Sequence, residues 1–192
     1  MKKQFIMSIL IVSAVAVFAQ GFYFDIGLGI GNAKTEINGQ DISDLFDSTV
    51  KEVGVDLGLK IGYGPISGTP LYIVGEISGI GHRFEDNYNY MQFNSYLIGP
   101  GIIIYPFPFI QLGASIGYSF VSNQTDLPIE MYDSESGTAA NISIAFDIGK
   151  GRNGLLVGTK YEYTSNKIEI SKAKQESSIY CIFVKYAYRY KE

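Results

Sequence analysis

Tryptophan is absent from this 192-residue chain, and cysteine and histidine occur once each. The lone Cys181 cannot close an internal disulfide, so the fold is held without a staple. The lone His82 confines any histidine-dependent chemistry to one position. Charged residues are scarce at 18%, and a net charge of −4 offers no basic footprint for a nucleic-acid partner. Long apolar runs are missing as well: no stretch reaches the ~20 residues that a membrane-spanning helix needs. Glycine (22), tyrosine (15) and phenylalanine (12) are plentiful instead, and aromatic enrichment favours strands.

The first residues read as an export signal. Lys2 and Lys3 precede an apolar core, Phe5 to Phe18, interrupted only by Ser8 and Ser13. Val17 and Ala19 put small residues at the −3 and −1 positions of a cleavage site before Gln20. The expected division is a signal peptide over 1–19 and one β domain over 20–192.

The mature chain repeats one pattern. From Val53 to Tyr63 the odd positions are Val, Val, Leu, Leu, Ile and Tyr, while the even ones are Gly54, Asp56, Gly58, Lys60 and Gly62. Alternate side chains of a strand point to opposite faces, so this stretch has an apolar face and a polar one. The pattern returns over 22–31, 71–81, 88–105, 110–120, 140–149, 155–163 and 180–190, which predicts eight strands. The fourth is least regular. Its phase reads as Met91, Phe93, Leu97 and Ile103 on the apolar face, with a bulge or bend expected at Gly99-Pro-Gly101.

Connections alternate in kind. Short Gly/Pro turns are expected at 64–70, 105–108 and 150–154, with longer or more polar loops at 33–49, 82–87, 121–137 and 165–177. In the first loop Asp41 or Ser43 can cap a helical turn, and Leu45 and Phe46 there either seat that turn on the barrel mouth or contact a partner. Asp41, Asp44, Asp47, Asp126, Glu130, Asp133 and Glu135 make these loops acidic, without the spacing of a calcium loop. Aromatic residues gather at strand ends: Phe22, Phe24, Tyr63, Tyr105, Phe107, Phe109, Tyr188 and Tyr190 by the turns, and Tyr118, Phe120, Tyr161 and Tyr163 by the loops.

No apolar-face position is charged, as expected where a midplane charge would cost ~2–4 kcal/mol. The other face interleaves glycines with Asp25, Asp56, Glu76, Asp147 and Glu162 and with Lys60, Lys160, Lys185 and Arg189. An eight-stranded barrel is just wide enough inside for side chains to fill it. Acids and bases in near balance can pair there, as buried charges must. These nine residues are expected to form an interior, structural charge network.

Export signal, eight two-faced strands, alternating short turns and long loops, and an aromatic final strand together resemble the small outer-membrane barrels of the OmpA/OmpX kind. The resemblance implies an all-β, eight-stranded antiparallel up-and-down transmembrane β-barrel in the bacterial outer membrane. It further implies contact with outer-membrane lipid, insertion by the barrel-assembly machinery, and a monomer. Tyr186, Tyr188 and Tyr190 fit the terminal assembly signal of such barrels, although Lys191 and Glu192 follow them.

No nucleophile–base–acid set is evident around His82, and the His-x-Ser spacing of lipid A deacylase barrels fails because Phe84 stands where the serine would be. No cofactor and no metal site is expected. The reading is a structural or surface-interaction, adhesion-like role carried by the outer loops, not an enzyme. Two alternatives stand beside it: a soluble periplasmic lipocalin-like barrel with the faces inverted around an apolar ligand, and a lipid A-modifying barrel enzyme.

Overall fold

The computed structural model describes residues 21–46, 49–66, 68–86, 89–127, 136–149, 151–168 and 172–189. The signal peptide over 1–19, Asp47, Glu130, Asp133, Glu135, Lys150 and the terminal Tyr190, Lys191 and Glu192 lie outside the described residues.

Eight long strands form an antiparallel ring: β1 (Phe22–Ile37), β2 (Lys51–Tyr63), β3 (Leu71–Glu85), β4 (Tyr90–Phe107), β5 (Ile110–Val121), β6 (Gly137–Asp147), β7 (Asn153–Lys167) and β8 (Lys174–Arg189). Each pairs with its sequence neighbours, and β8 pairs with β1 from Tyr23↔Arg189 to Ile37↔Gln175, which closes the ring so that none of the eight long strands is an edge strand. Up-and-down order follows from the short connections, since a two-residue turn such as Pro108–Phe109 can only join antiparallel neighbours.

The exterior is apolar. Leu57 is 63% exposed, Ile116 67% and Ile182 64%. No Asp, Glu, Lys or Arg stands among the outward side chains over 22–30, 53–63, 71–81, 96–104, 110–120, 138–148, 155–163 and 180–188. Water would not tolerate so continuous an apolar wall, whereas hydrocarbon requires it. All the charged side chains of the spanning alternation point inward, among smaller apolar clusters such as Leu156–Phe183 and Ile80–Ile179, so the inverted arrangement of a soluble lipocalin-like barrel is overturned.

Four expectations need correction. First, β4 has the opposite phase: Phe93, Leu97 and Ile103 are buried inside, and Ile98, Ile102 and Ile104 face out. Residues directly opposite in a ladder share a face, and Leu97 is paired with inward Ser78. Second, the register does not shift at Gly99-Pro-Gly101. Pairing with β5 lapses there and resumes in register at Gly101↔Ser115, and the irregularity lies between Ile104 and Phe107. Third, Tyr105 leaves the turn-side aromatic girdle and points inward, where its hydroxyl accepts from Gln111 at 2.7 Å.

Fourth, the loop-side strands run further than the alternation suggested. β1 continues to Ile37, β7 to Lys167, and β3 to Glu85, so His82 to Glu85 belong to a strand rather than a loop. Past β1 the chain reverses over Asn38 and Gly39, both at positive φ (52° and 80°), and Gln40–Asp41 pair back on Glu36–Ile37. Positive φ at both central residues is the hairpin turn for which Asn-Gly is suited. A 3₁₀ turn, Ile42–Leu45, follows, with Asp41 accepting from the Ser43 amide at 2.9 Å. It drops Ile42 and Phe46 into the mouth, where Phe46 stacks on Phe84 with ring centroids 4.5 Å apart.

Candidate functional site

All nine charged residues of the alternating pattern are buried inside the barrel. Lys160 (β7) contacts Asp56 across the lumen on β2 and Glu162 on its own strand at 2.8 Å. Glu162 also accepts from Ser78 of β3 at 2.6 Å and from Asn141 of β6 at 3.3 Å. Lys60 lies 3.4 Å from Glu76, directly opposite it in the β2–β3 ladder. Lys185 lies 3.4 Å from Asp25. At the turn end Arg189 binds Asp147, donates to the Gly149 carbonyl at 3.0 Å and reaches the Tyr105 hydroxyl at 3.2 Å. Tyr23 ties this layer to the one above by donating to Asp25 at 2.7 Å while accepting from Gln111 at 2.9 Å.

Interior glycines make room for the lysine heads. A Cβ on Gly58 would stand 3.1 Å from Lys185 Nζ, and one on Gly113 would stand 3.2 Å from Lys60 Nζ. Toward the loop end the charges give way to neutral polar groups. Ser95 donates to Ser177 across the lumen at 3.0 Å, and Asn166 donates to Ser119 at 2.9 Å. Bonds between opposite walls thus stitch the core at several heights.

His82 is fully buried at the loop end of this core, beneath the Phe84 ring at 4.3 Å. Its Nε2 donates to Glu52 Oε1 at 2.8 Å, which leaves Nδ1 to accept from the Thr35 hydroxyl at 3.0 Å; this tautomer is assigned from the bonding pattern. Arg83, next along β3, faces outward, so this level lies beyond the hydrocarbon. Burial holds the His82 pKa below the ordinary 6.5, against the opposing pull of Glu52 and Asp41.

Carboxylate, imidazole and hydroxyl in series are the elements of nucleophilic catalysis. The Thr35 hydroxyl, however, is wholly enclosed, packed under the mouth and 3.5 Å from Ser177 Oγ, with no exposed surface where a substrate carbonyl could sit. Sequence reasoning passed over Glu52 and Thr35 as partners of His82. A signal was present, since Glu52 shares the even, inward phase of Asp56 and Lys60, and His82 that of Glu76 and Ser78. Among the described residues no group of three or more His, Cys, Asp or Glu side chains is placed to hold a metal ion.

A closed eight-stranded ring with an apolar wall, a charge-paired core and long loops at one end defines a small outer-membrane β-barrel. Comparison with known proteins agrees on the fold. No protein-family model matches the chain, and no curated protein is similar to it in sequence. Among solved structures, the attachment invasion locus protein Ail of Yersinia pestis, in complex with the heparin analogue sucrose octasulfate, superposes with a TM-score of 0.53 at 15% identity, covering 90% of this chain and 99% of that one. Neisserial surface protein A superposes with a TM-score of 0.53 at 15% identity, covering 85% and 95%. At such identities the likeness is one of fold. The chain has the architecture of the small outer-membrane barrels and the location that goes with it.

Proposed function

We propose that this barrel is a surface-interaction protein that works at its loop end, and that it is neither a pore nor an enzyme. The observation that carries the reading is the filled lumen: opposite walls are tied through Lys160, Glu162, Ser95 and Arg189, and the long connections of the loop end offer a larger surface beyond the membrane than the short turns do. The enclosed Thr35 supports a structural role for the Glu52–His82–Thr35 series, in which the imidazole rivets three adjacent strands.

Charge indicates the kind of partner. Neither connection 38–50 nor 122–136 contains a Lys or Arg, while Asp41, Asp44, Asp47, Asp126, Glu130, Asp133 and Glu135 all lie there. Like charges repel across an interface and opposite charges steer encounter, so the loop end suits a basic partner. Ail was crystallised with a polyanion; the sign of the charge here argues for the opposite preference.

The test is retention of the purified barrel, held in lipid nanodiscs, on poly-lysine and on heparin surfaces. Retention on poly-lysine only, abolished by the combined Asp44→Asn, Glu130→Gln, Asp133→Asn and Glu135→Gln changes and by high salt, is the expected result. Retention on heparin, or indifference to these changes, contradicts the reading.

A further inference from the structure

The lumen holds one more acid than bases. Among the described residues Asp25, Asp56, Glu76, Asp147 and Glu162 are buried acids, and Lys60, Lys160, Lys185 and Arg189 are buried bases. His82, which accepts at Nδ1, is neutral. A surplus charge shut away from water is costly unless something compensates it.

The hydrogen bonds show where the surplus lies. Lys60 stands against Glu76 Oε2, while Lys160, Ser78 and Asn141 all converge on Glu162 Oε2. The Oε1 atom of each glutamate meets no donor, and neither does Asn141 Oδ1. Ser115 Oγ is unbonded too, although it lies close to the Glu76 carboxyl. All four side chains are deeply buried, Ser115 and Asn141 being 3% exposed and the glutamates less.

These four residues belong to one circuit. Glu162, Asn141, Ser115 and Gly101 stand directly opposite one another in the successive ladders of β7, β6, β5 and β4, so they share a row on the inner face. Glu76 is opposite Gly99, the next inward residue of β4. Ser78, the next inward residue of β3, closes the circuit through its bond to Glu162. The wall beside this row is bare: Gly99 and Gly117 face each other there, and the atoms nearest a Cβ on either are backbone.

The unbonded oxygens are all acceptors, or in Ser115 can act as one, so the partner they call for is electropositive. A proton on one glutamate would cancel the surplus but serve only one further oxygen. A divalent ion would overshoot the charge and leave the interior positive. A small monovalent cation meets both conditions, since it neutralises the interior and takes hard oxygen ligands. We propose that the lumen binds one sodium-sized monovalent cation between Glu76 and Glu162, with Asn141 Oδ1 and Ser115 Oγ as its neutral ligands. Each glutamate then divides its two oxygens between a lysine and the ion. The ion ties β3 to β5, β6 and β7 as a structural counter-charge.

The experiment is urea unfolding of the mature barrel in lipid bilayers at fixed pH and ionic strength, with N-methylglucamine chloride exchanged stepwise for sodium chloride. One specific site makes the unfolding equilibrium constant fall about tenfold for each tenfold rise in sodium above the dissociation constant. Asn141→Leu and Ser115→Ala change no charge, and each should require more sodium for the same gain. Both variants should keep the gel-mobility difference between unheated and boiled samples that marks a folded barrel. Equal stability in the two salts across the whole series overturns the proposal. So does a sodium response unchanged in whichever of the two variants folds. Stability that varies with pH, identically in both salts, would put a proton in place of the ion and overturn it as well.

Discussion

Lys160 on β7 and Asp56 on β2 meet across the lumen, although two strands, β8 and β1, separate them around the ring. Their contact spans the lumen of an eight-stranded ring whose width the strand number sets, and Glu162 at 2.8 Å supplies a second counter-charge from the same side as Lys160. Such a contact needs both partners, because a buried charge left alone is far more costly than a matched pair.

Lys160→Met is therefore expected to destabilise the barrel by ~3–5 kcal/mol, the range for breaking a buried pair. Urea unfolding in lipid bilayers, followed by tyrosine fluorescence, measures it. Replacing Lys160, Asp56 and Glu162 together by Met, Leu and Gln should recover much of the loss, since no charge is then stranded. An equal or larger loss in the triple variant would show that the cross-lumen contact is not the source of the effect.

The phase of β4 is directly testable. A spin label on a cysteine replacing Ile98 should be relaxed strongly by oxygen dissolved in the lipid, whereas Leu97→Cys, inside the wall, should be shielded or fail to react. Ile102→Arg should cost ~2–4 kcal/mol if it lies at the midplane and less nearer the interface. Stronger lipid exposure at 97 than at 98 would restore the phase that the alternation alone suggested.

His82 makes the mouth sensitive to acid. Its buried ring has a depressed pKa, so the opened mouth takes up a proton more readily than the closed one. Closure is then at full strength above about 6.5, the ordinary histidine value, and weakens as pH falls from there toward the lower value of the buried ring. Hydrogen-exchange protection factors at residues 42–46, corrected for the intrinsic pH dependence of amide exchange, should fall over that window in the wild type and lose this dependence in His82→Gln. Protection that rises on acidification, or the same pH profile in His82→Gln, contradicts the assignment.

Much of this architecture was legible because lipid outside and charge inside impose alternation on every strand that crosses between turn and loop. The legibility failed where that contrast fails. Residues 102–104 are three isoleucines in succession, so period two has no phase to offer, and only the pairing of Leu97 with Ser78 and of Gly99 with Glu76 decides it. Beyond the membrane both faces of a strand can be polar, which hid the extensions of β1, β3, β7 and β8. The glycines were legible as small residues, but their use as clearance for Lys60 and Lys185 depends on packing between strands. Thr35, Glu52 and His82 are scattered over the chain and meet only because β1, β2 and β3 are adjacent and in register.

The most direct test of the central claim is proteolysis of intact cells, with the cut sites read by mass spectrometry. A lipid-embedded barrel with its loop end outward should be cut within 38–50 or 122–136, and its remaining strands should stay in the outer-membrane fraction. Protection of both connections in intact cells, cutting at the turns 64–70 or 148–152 instead, or recovery of uncut protein in the soluble periplasmic fraction would contradict it.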